Sequence, residues 1–132
     1  NWQRIRTTTA SWSDQGLRYY KGQAWYRQTV SVPAAFSRQR VFLWCAGVDE
    51  KARVWLNGEE IGVSHGAAFV PFELDATPAI RAGRNTIVFC VSNRWVDELG
   101  TGGITGPVML YAPAAAPAAQ LENVRELGRT FP

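Results

Sequence analysis

Two adjacent residues, Asn57 and Gly58, constrain this chain more than any others. They sit between Arg53-Val54-Trp55-Leu56 and Glu59-Glu60-Ile61. Both tolerate left-handed backbone, which the two central positions of a type I′ turn demand, so the flanking residues are held to a tight antiparallel hairpin. A two-residue loop pairs Leu56 with Glu59, Trp55 with Glu60 and Val54 with Ile61. On that register Val54, Leu56 and Ile61 share a core-facing side, and Trp55 lies on the other.

The remaining pattern is β throughout. Residues 24–32 (AWYRQTVSV) alternate in polarity and stop at Pro33, while 40–47, 85–92 and 106–111 are rich in Val, Ile, Phe and Trp, the residues that suit a pleated, half-buried surface. Residues 68–74 read as an edge or bulged strand, because Pro71 has no N–H to give a ladder. A short strand is expected near 2–6. Residues 77–83 carry the punctuation of one helical turn, with Thr77 as cap, Pro78 in the first position and Gly83 at the exit. About eight antiparallel strands predict an all-β jelly-roll sandwich.

A chain of 132 residues has room for one such domain. We place it at 1–113, followed by an Ala/Pro linker and tail over 114–132, within which 120–127 read as a candidate short helix. The chain opens on Asn1 rather than Met and reads as a piece of a longer protein, so any export signal would lie upstream. No apolar run approaches the ~20 residues of a membrane helix, and no membrane partner is expected. The net charge is +3 with fourteen basic residues, but these are scattered among acids along the sequence. No nucleic-acid partner is expected from that distribution.

Catalytic signatures are sparse. The only histidine, His65, adjoins Ser64, and neighbours on an extended chain point to opposite faces. No Gly-rich phosphate loop opens a helix, and no Cys/His cluster has zinc spacing. Cys45 falls in phase with the apolar face of its strand and Cys90 out of phase with its own, so two unbonded thiols are expected. Of the adjacent acid pairs, Asp49/Glu50 and Glu59/Glu60 lie in turns, where carboxylates are usually just solvated. Asp97/Glu98 is different. It lies in the segment 93–105 (NRWVDELGTGGIT) beside Asn93, Arg94 and Trp95. The segment 11–23 (SWSDQGLRYYKGQ) similarly offers Trp12, Asp14, Tyr19, Tyr20 and Lys21. Flat aromatics for sugar C–H faces, with planar polar groups for hydroxyls, are what carbohydrate recognition requires. The same residue types also suit packing against an adjoining domain, and residue types alone leave both readings open.

The order of motifs then becomes familiar. Gly22-Gln23-Ala24-Trp25-Tyr26-Arg27 is followed by Val32-Pro33, Val41-Phe42-Leu43-Trp44 and Gly47-Val48-Asp49. Next come Val54-Trp55-Leu56-Asn57-Gly58, Ile61-Gly62, His65-Gly66, Pro71-Phe72-Glu73-Leu74-Asp75, Gly83-Arg84-Asn85, Val91-Ser92-Asn93 and Gly102-Gly103-Ile104. This series resembles the N-terminal sugar-binding domain of family-2 glycoside hydrolases, the β-galactosidase, β-glucuronidase and β-mannosidase group. The resemblance spans about residues 2–113 and implies a galactose-binding-like β-sandwich joined to an immunoglobulin-like domain and a catalytic (β/α)₈ barrel. Both catalytic glutamates of that family belong to the barrel, so no catalytic residue is expected here. The loop matching 93–105 reaches the barrel's sugar site in some members. That implies a carbohydrate contact through Asn93, Trp95, Asp97 and Glu98, with Asp97 taking a hydroxyl and Trp95 stacking; Trp12, Tyr19 and Tyr20 are further candidates. After Gly103-Ile104 the chain has Thr105-Gly106-Pro107, where the family often has an aromatic or Arg. Related carbohydrate-binding modules often hold a structural calcium, but no ligand cluster for one is assignable, and no cofactor is expected.

Overall fold

The computed structural model describes residues 2–64, 67–94 and 101–114. Among these residues seven strands make two antiparallel sheets: β1 (Gly22–Val32), β2 (Phe42–Cys45), β3 (Lys51–Leu56), β4 (Glu59–Val63), β5 (Phe72–Asp75), β6 (Gly83–Asn93) and β7 (Val108–Tyr111). One sheet has the order β1-β6-β3-β4 and the other β5-β2-β7. Among the described residues there are two short 3-10 turns, Ser13–Gln15 ahead of β1 and Ala34–Arg38 between β1 and β2. No helix among the described residues is long and apolar enough to cross a membrane.

Alternation along each strand builds the sandwich. Val54 and Leu56 of β3 meet Ile87, Phe89 and Val91 of β6 on one inner face, and Leu43, Cys45, Phe72 and Leu74 supply the other; all belong to one buried cluster. Cys45 and Cys90 are both unbonded and buried. Cys90 does face outward, as its phase requires, yet it lies between Trp25 of β1 and Arg53 of β3 in the ladder. Its neighbours cover it.

The hairpin forms with Asn57 at φ 54° and Gly58 at φ 89°. Leu56 opposes Glu59 and Trp55 opposes Glu60, but Val54 opposes Gly62 rather than Ile61. The extra residue is a β-bulge, which makes room for the other sheet: a Cβ on Gly62 would stand 2.8 Å from Leu74 Cδ2. Other expectations need correction. Residues 2–6 form no strand, because the Gln15 side chain takes the Arg6 main chain, accepting its N–H at 2.6 Å and donating to its carbonyl at 2.9 Å. Residues 67–71 lie outside β5, with Phe69 in the left-handed region at φ 65°. The helical turn exists, with Ile80 N–H donating to the Ala76 carbonyl, but Asp75 caps it by accepting the Thr77 N–H at 2.9 Å. The Thr77 hydroxyl instead ties to the main chain of Val41. The proposed linker and tail helix lie outside the described residues from 115 onward.

Beside that turn sits a fully buried amide. Asn85 Oδ1 accepts from Asn57 Nδ2 at 2.7 Å and from Arg81 N–H at 2.9 Å, and its Nδ2 donates to the Arg81 and Gly83 carbonyls. Asn57 in turn donates to the Ala79 carbonyl and accepts from Thr86 N–H. The hairpin tip is thereby tied to the turn that leads into β6. Asn85→Ala leaves several of these buried groups unpaired and should lower the unfolding free energy by about 2–3 kcal/mol. A urea titration checks this as a lower midpoint with an unchanged slope.

Candidate functional site at one end of the sandwich

β1 and β6 are each eleven residues long and pair over their whole length, from Gly22↔Asn93 to Val32↔Gly83. Antiparallel pairing puts the start of β1 beside the end of β6. The two segments singled out in the sequence, 11–23 and 93–105, therefore meet at one end of the sandwich. The turn between β2 and β3 joins them, since Lys51 opposes Ser92. So does 67–71, whose Phe69 N–H donates to the Val48 carbonyl at 2.8 Å.

A buried knot organises this end. The Trp12 side chain is 2% exposed. Its indole N–H donates to the Tyr26 hydroxyl, and its main-chain N–H donates to the Gly102 carbonyl at 3.1 Å. The Tyr26 hydroxyl also accepts from Ile104 N–H. Gly102 and Gly103, at φ 106° and 92°, press against the indole; a Cβ on either would stand 2.7 or 2.5 Å from ring atoms of Trp12. No side chain fits there, so the double glycine lets the return strand of the loop lie flat on Trp12. Trp12, a candidate for sugar stacking on its sequence, has no ring face open to solvent. It is the floor of the site.

The acids of the β2–β3 turn hold the other half. Asp49 is buried rather than solvated, and its Oδ2 accepts from Asn93 Nδ2 at 3.4 Å and from Thr101 Oγ1 at 2.8 Å. Its N–H donates to the Gly103 carbonyl at 2.9 Å. Glu50, held at φ 59°, accepts the Arg94 N–H at 2.8 Å. One carboxylate thus grips the residues on both sides of 95–100. Val48 and Ile104 complete the clasp as a β-bridge.

Each predicted site residue can now be placed. Asn93 is 2% exposed with its amide turned to Asp49, so it positions the loop from below instead of facing solvent. Tyr19 is 70% exposed at φ 59°; Tyr20 is partly exposed, edge-on to Trp12, and donates its hydroxyl hydrogen to the Gln23 carbonyl. Trp95, Asp97 and Glu98 lie outside the described residues, as does His65; Ser64 is buried and accepts the Ala52 N–H. Sequence reasoning missed Asp49, Glu50, Phe69 and Val70. The last two are exposed apolar residues at this same end. Tyr19, Glu50 and Phe69 are three of the four described non-glycine residues with positive φ, the other being Asn57 in the hairpin turn. Such conformations cost of order 1 kcal/mol each and persist where surroundings over-determine them, often around functional surfaces. Among the described residues no group of three or more His, Cys, Asp or Glu side chains is placed to hold a metal ion.

Burial pushes the Tyr26 phenol above its ordinary value of 10.0. Tyr26→Phe removes the acceptor of the Trp12 indole N–H and should cost about 1–2 kcal/mol at neutral pH. Because burial makes the folded state hold the phenolic proton more tightly than the unfolded chain, the wild type keeps its full stability below pH 10 and loses part of it as pH rises through the raised folded value, the buried phenolate being the costly form. Urea midpoints of wild type and Tyr26→Phe should therefore converge as pH rises past 10.

Comparison with known proteins gives the family to which this sandwich belongs. The family model described as "Glycosyl hydrolases family 2, sugar binding domain" matches residues 7–104. A β-glucuronidase of Paenibacillus borealis is 41% identical over 80 residues, covering 61% of this chain and 13% of that protein. A β-galactosidase of Thermoanaerobacter pseudethanolicus is 31% identical over 94 residues, covering 70% of this chain and 12% of that protein. Among solved structures, a β-glucuronidase from an uncultured Clostridium superposes with a TM-score of 0.67 at 29% identity, over 79% of this chain and 22% of that one. The Bacteroides uniformis β-glucuronidase shares the fold, with a TM-score of 0.68 at 23% identity over 83% and 14% of the two chains. The chain thus spans a small fraction of the length of the relatives it matches. It belongs to the sugar-binding domains of family-2 glycoside hydrolases, and is the β-sandwich of that family rather than its catalytic barrel.

Proposed function

We propose that this chain is an accessory domain of a larger glycoside hydrolase, which docks on the catalytic barrel and presents residues 95–100 to the sugar site. The observation that supports this most is the double grip of Asp49 on Asn93 and Thr101, with Gly103 laid on Trp12. A carboxylate buried to fix both ends of one short segment makes structural sense where that segment must be presented in a set position. In this reading Trp95 stacks on a sugar face, and Asp97 and Glu98 accept sugar hydroxyls. Around them, Tyr19, Tyr20, Phe69 and Val70 form an exposed apolar rim for the neighbouring domain. The domain supplies orientation and no reacting group; proton transfer and bond cleavage belong to the barrel.

In the parent hydrolase, Trp95→Ala and Asp97→Ala should each raise KM for its glycoside at least tenfold, with unchanged thermal stability. Asp49→Asn should produce a smaller rise of the same kind by loosening the clasp. Unchanged kinetic constants with a lowered melting temperature would instead make this end a packing surface only. Purified 132-residue chain should not turn over chromogenic glycosides.

A further inference from the structure

The outer face of the four-stranded sheet has no part in the site above, and its composition is unusual. The ladder aligns Arg53, Cys90 and Trp25 in one row across β3, β6 and β1, and Trp55, Val88 and Arg27 in the next. The four long side chains form a checkerboard in which each Arg shares a strand with a Trp and lies across the sheet from the other one. Trp25 and Trp55 stack across the diagonal with ring centroids 5.3 Å apart, which roofs the central strand and accounts for the burial of Cys90. The two arginines occupy the opposite corners, roughly 12 Å apart at their Cα atoms by strand spacing and rise. Arg53 lies over the Trp55 ring at 5.2 Å and pairs with Glu60; Arg27 lies over the Trp2 ring at 4.5 Å. Lys51 and Arg84 extend the same face toward its two ends.

Charge on this face is one-sided. On the outward positions of the four strands, four cations stand against Glu60 alone, in a chain whose whole formal charge is +3. Among the described residues, Arg27, Lys51 and Arg84 make no ion pair. Four of the fourteen basic residues, from three distant stretches of the sequence, are gathered here by the pleat. Trp25 is 52% exposed, in the middle of the patch. A guanidinium over an indole still presents N–H groups at its rim to an anion; Arg27 makes no ion pair among the described residues, and Arg53 has N–H groups beyond the one that meets Glu60. An exposed indole beside it suits the C–H face of a pyranose ring.

We infer that this outer face is a second carbohydrate surface, distinct from the lip, which binds an anionic glycan by stacking on Trp25 and pairing its acid groups with Arg27 and Arg53. Carboxylate and sulfate share the chemistry that these arginines recognise. The aromatic pair favours a sugar chain over an acidic peptide or a nucleic-acid backbone, because charge alone would need no indole platform.

The test is affinity electrophoresis of the 132-residue chain in gels containing polygalacturonate, a sulfated galactan, a neutral galactan, polyglutamate or duplex DNA. Retardation by polygalacturonate, the sulfated galactan or both is expected, and the pattern tells which acid group is read. Neutral galactan should retard it at least tenfold less. Trp25→Ala and Arg27→Glu, both at exposed positions, should each weaken the interaction at least tenfold while leaving the melting temperature in place. If Trp25→Ala melts early, Trp25→Phe and Arg27→Glu carry the test. Absence of retardation in both acidic glycan gels would overturn the inference. So would equal retardation by polyglutamate or DNA, or binding indifferent to both substitutions. The lip residues are untouched by these variants, so this result is independent of the docking proposal.

Discussion

The full-length pairing of β1 with β6 is the constraint on which the rest of the molecule depends. These two strands run side by side for about 36 Å at the usual rise per residue. That one ladder decides which loops are neighbours. It brings Gly22 to Asn93, and with them the segment before β1 to the segment after β6. At the opposite end it sets Val32 against Gly83, where the Asn57–Asn85 amide network closes the structure. Everything that could meet a ligand or another domain at the lip is there because of a hydrogen-bonded register that begins at the other end.

The two ends are built on different physics. The far end is a closed network of neutral amides and main-chain groups, each donor matched to an acceptor in a dry environment. Such networks specify geometry because a half-made version costs more than an apolar replacement. The lip end combines a buried carboxylate, a roofed indole, two glycines with positive φ and three other residues in left-handed backbone. It is held open against local preference by the floor of Trp12 and Tyr26. The first arrangement secures the sheet, and the second shapes a surface.

Much of the fold could be read from the sequence, wherever the determinant was local. Asn57-Gly58 named its own turn, alternation named the strands, and the phase of Leu43 and Cys45 against Ile87 and Val91 named the inner faces. What failed to read was set across sheets. The bulge at Ile61-Gly62 answers to Leu74, which lies in the other sheet and outside any local window of the sequence. The strand expected at 2–6 was lost to the side chain of Gln15, which competes for the same main-chain groups. At the lip, residue types picked out segments that the fold brings together, but did not say which side chains are buried as supports. Trp12 and Asn93 have the chemistry of sugar ligands and are used as supports, because burial depends on Gly102, Gly103 and Asp49 arriving from elsewhere. Asp49 and Glu50 looked like ordinary turn acids for the same reason. The clustering of Arg27, Arg53, Lys51 and Arg84 was invisible for a geometric reason: a sheet interleaves residues from distant stretches onto one plane.

The clasp at Asp49 has an evolutionary corollary. With Asn93 and Thr101 anchored to the same carboxylate, the base of the seven-position tip between them does not depend on what the tip contains. Loop-closure entropy grows only logarithmically, so doubling such a tip costs about 0.6 kcal/mol. Selection can lengthen, shorten or rewrite it without renegotiating the sandwich that carries it.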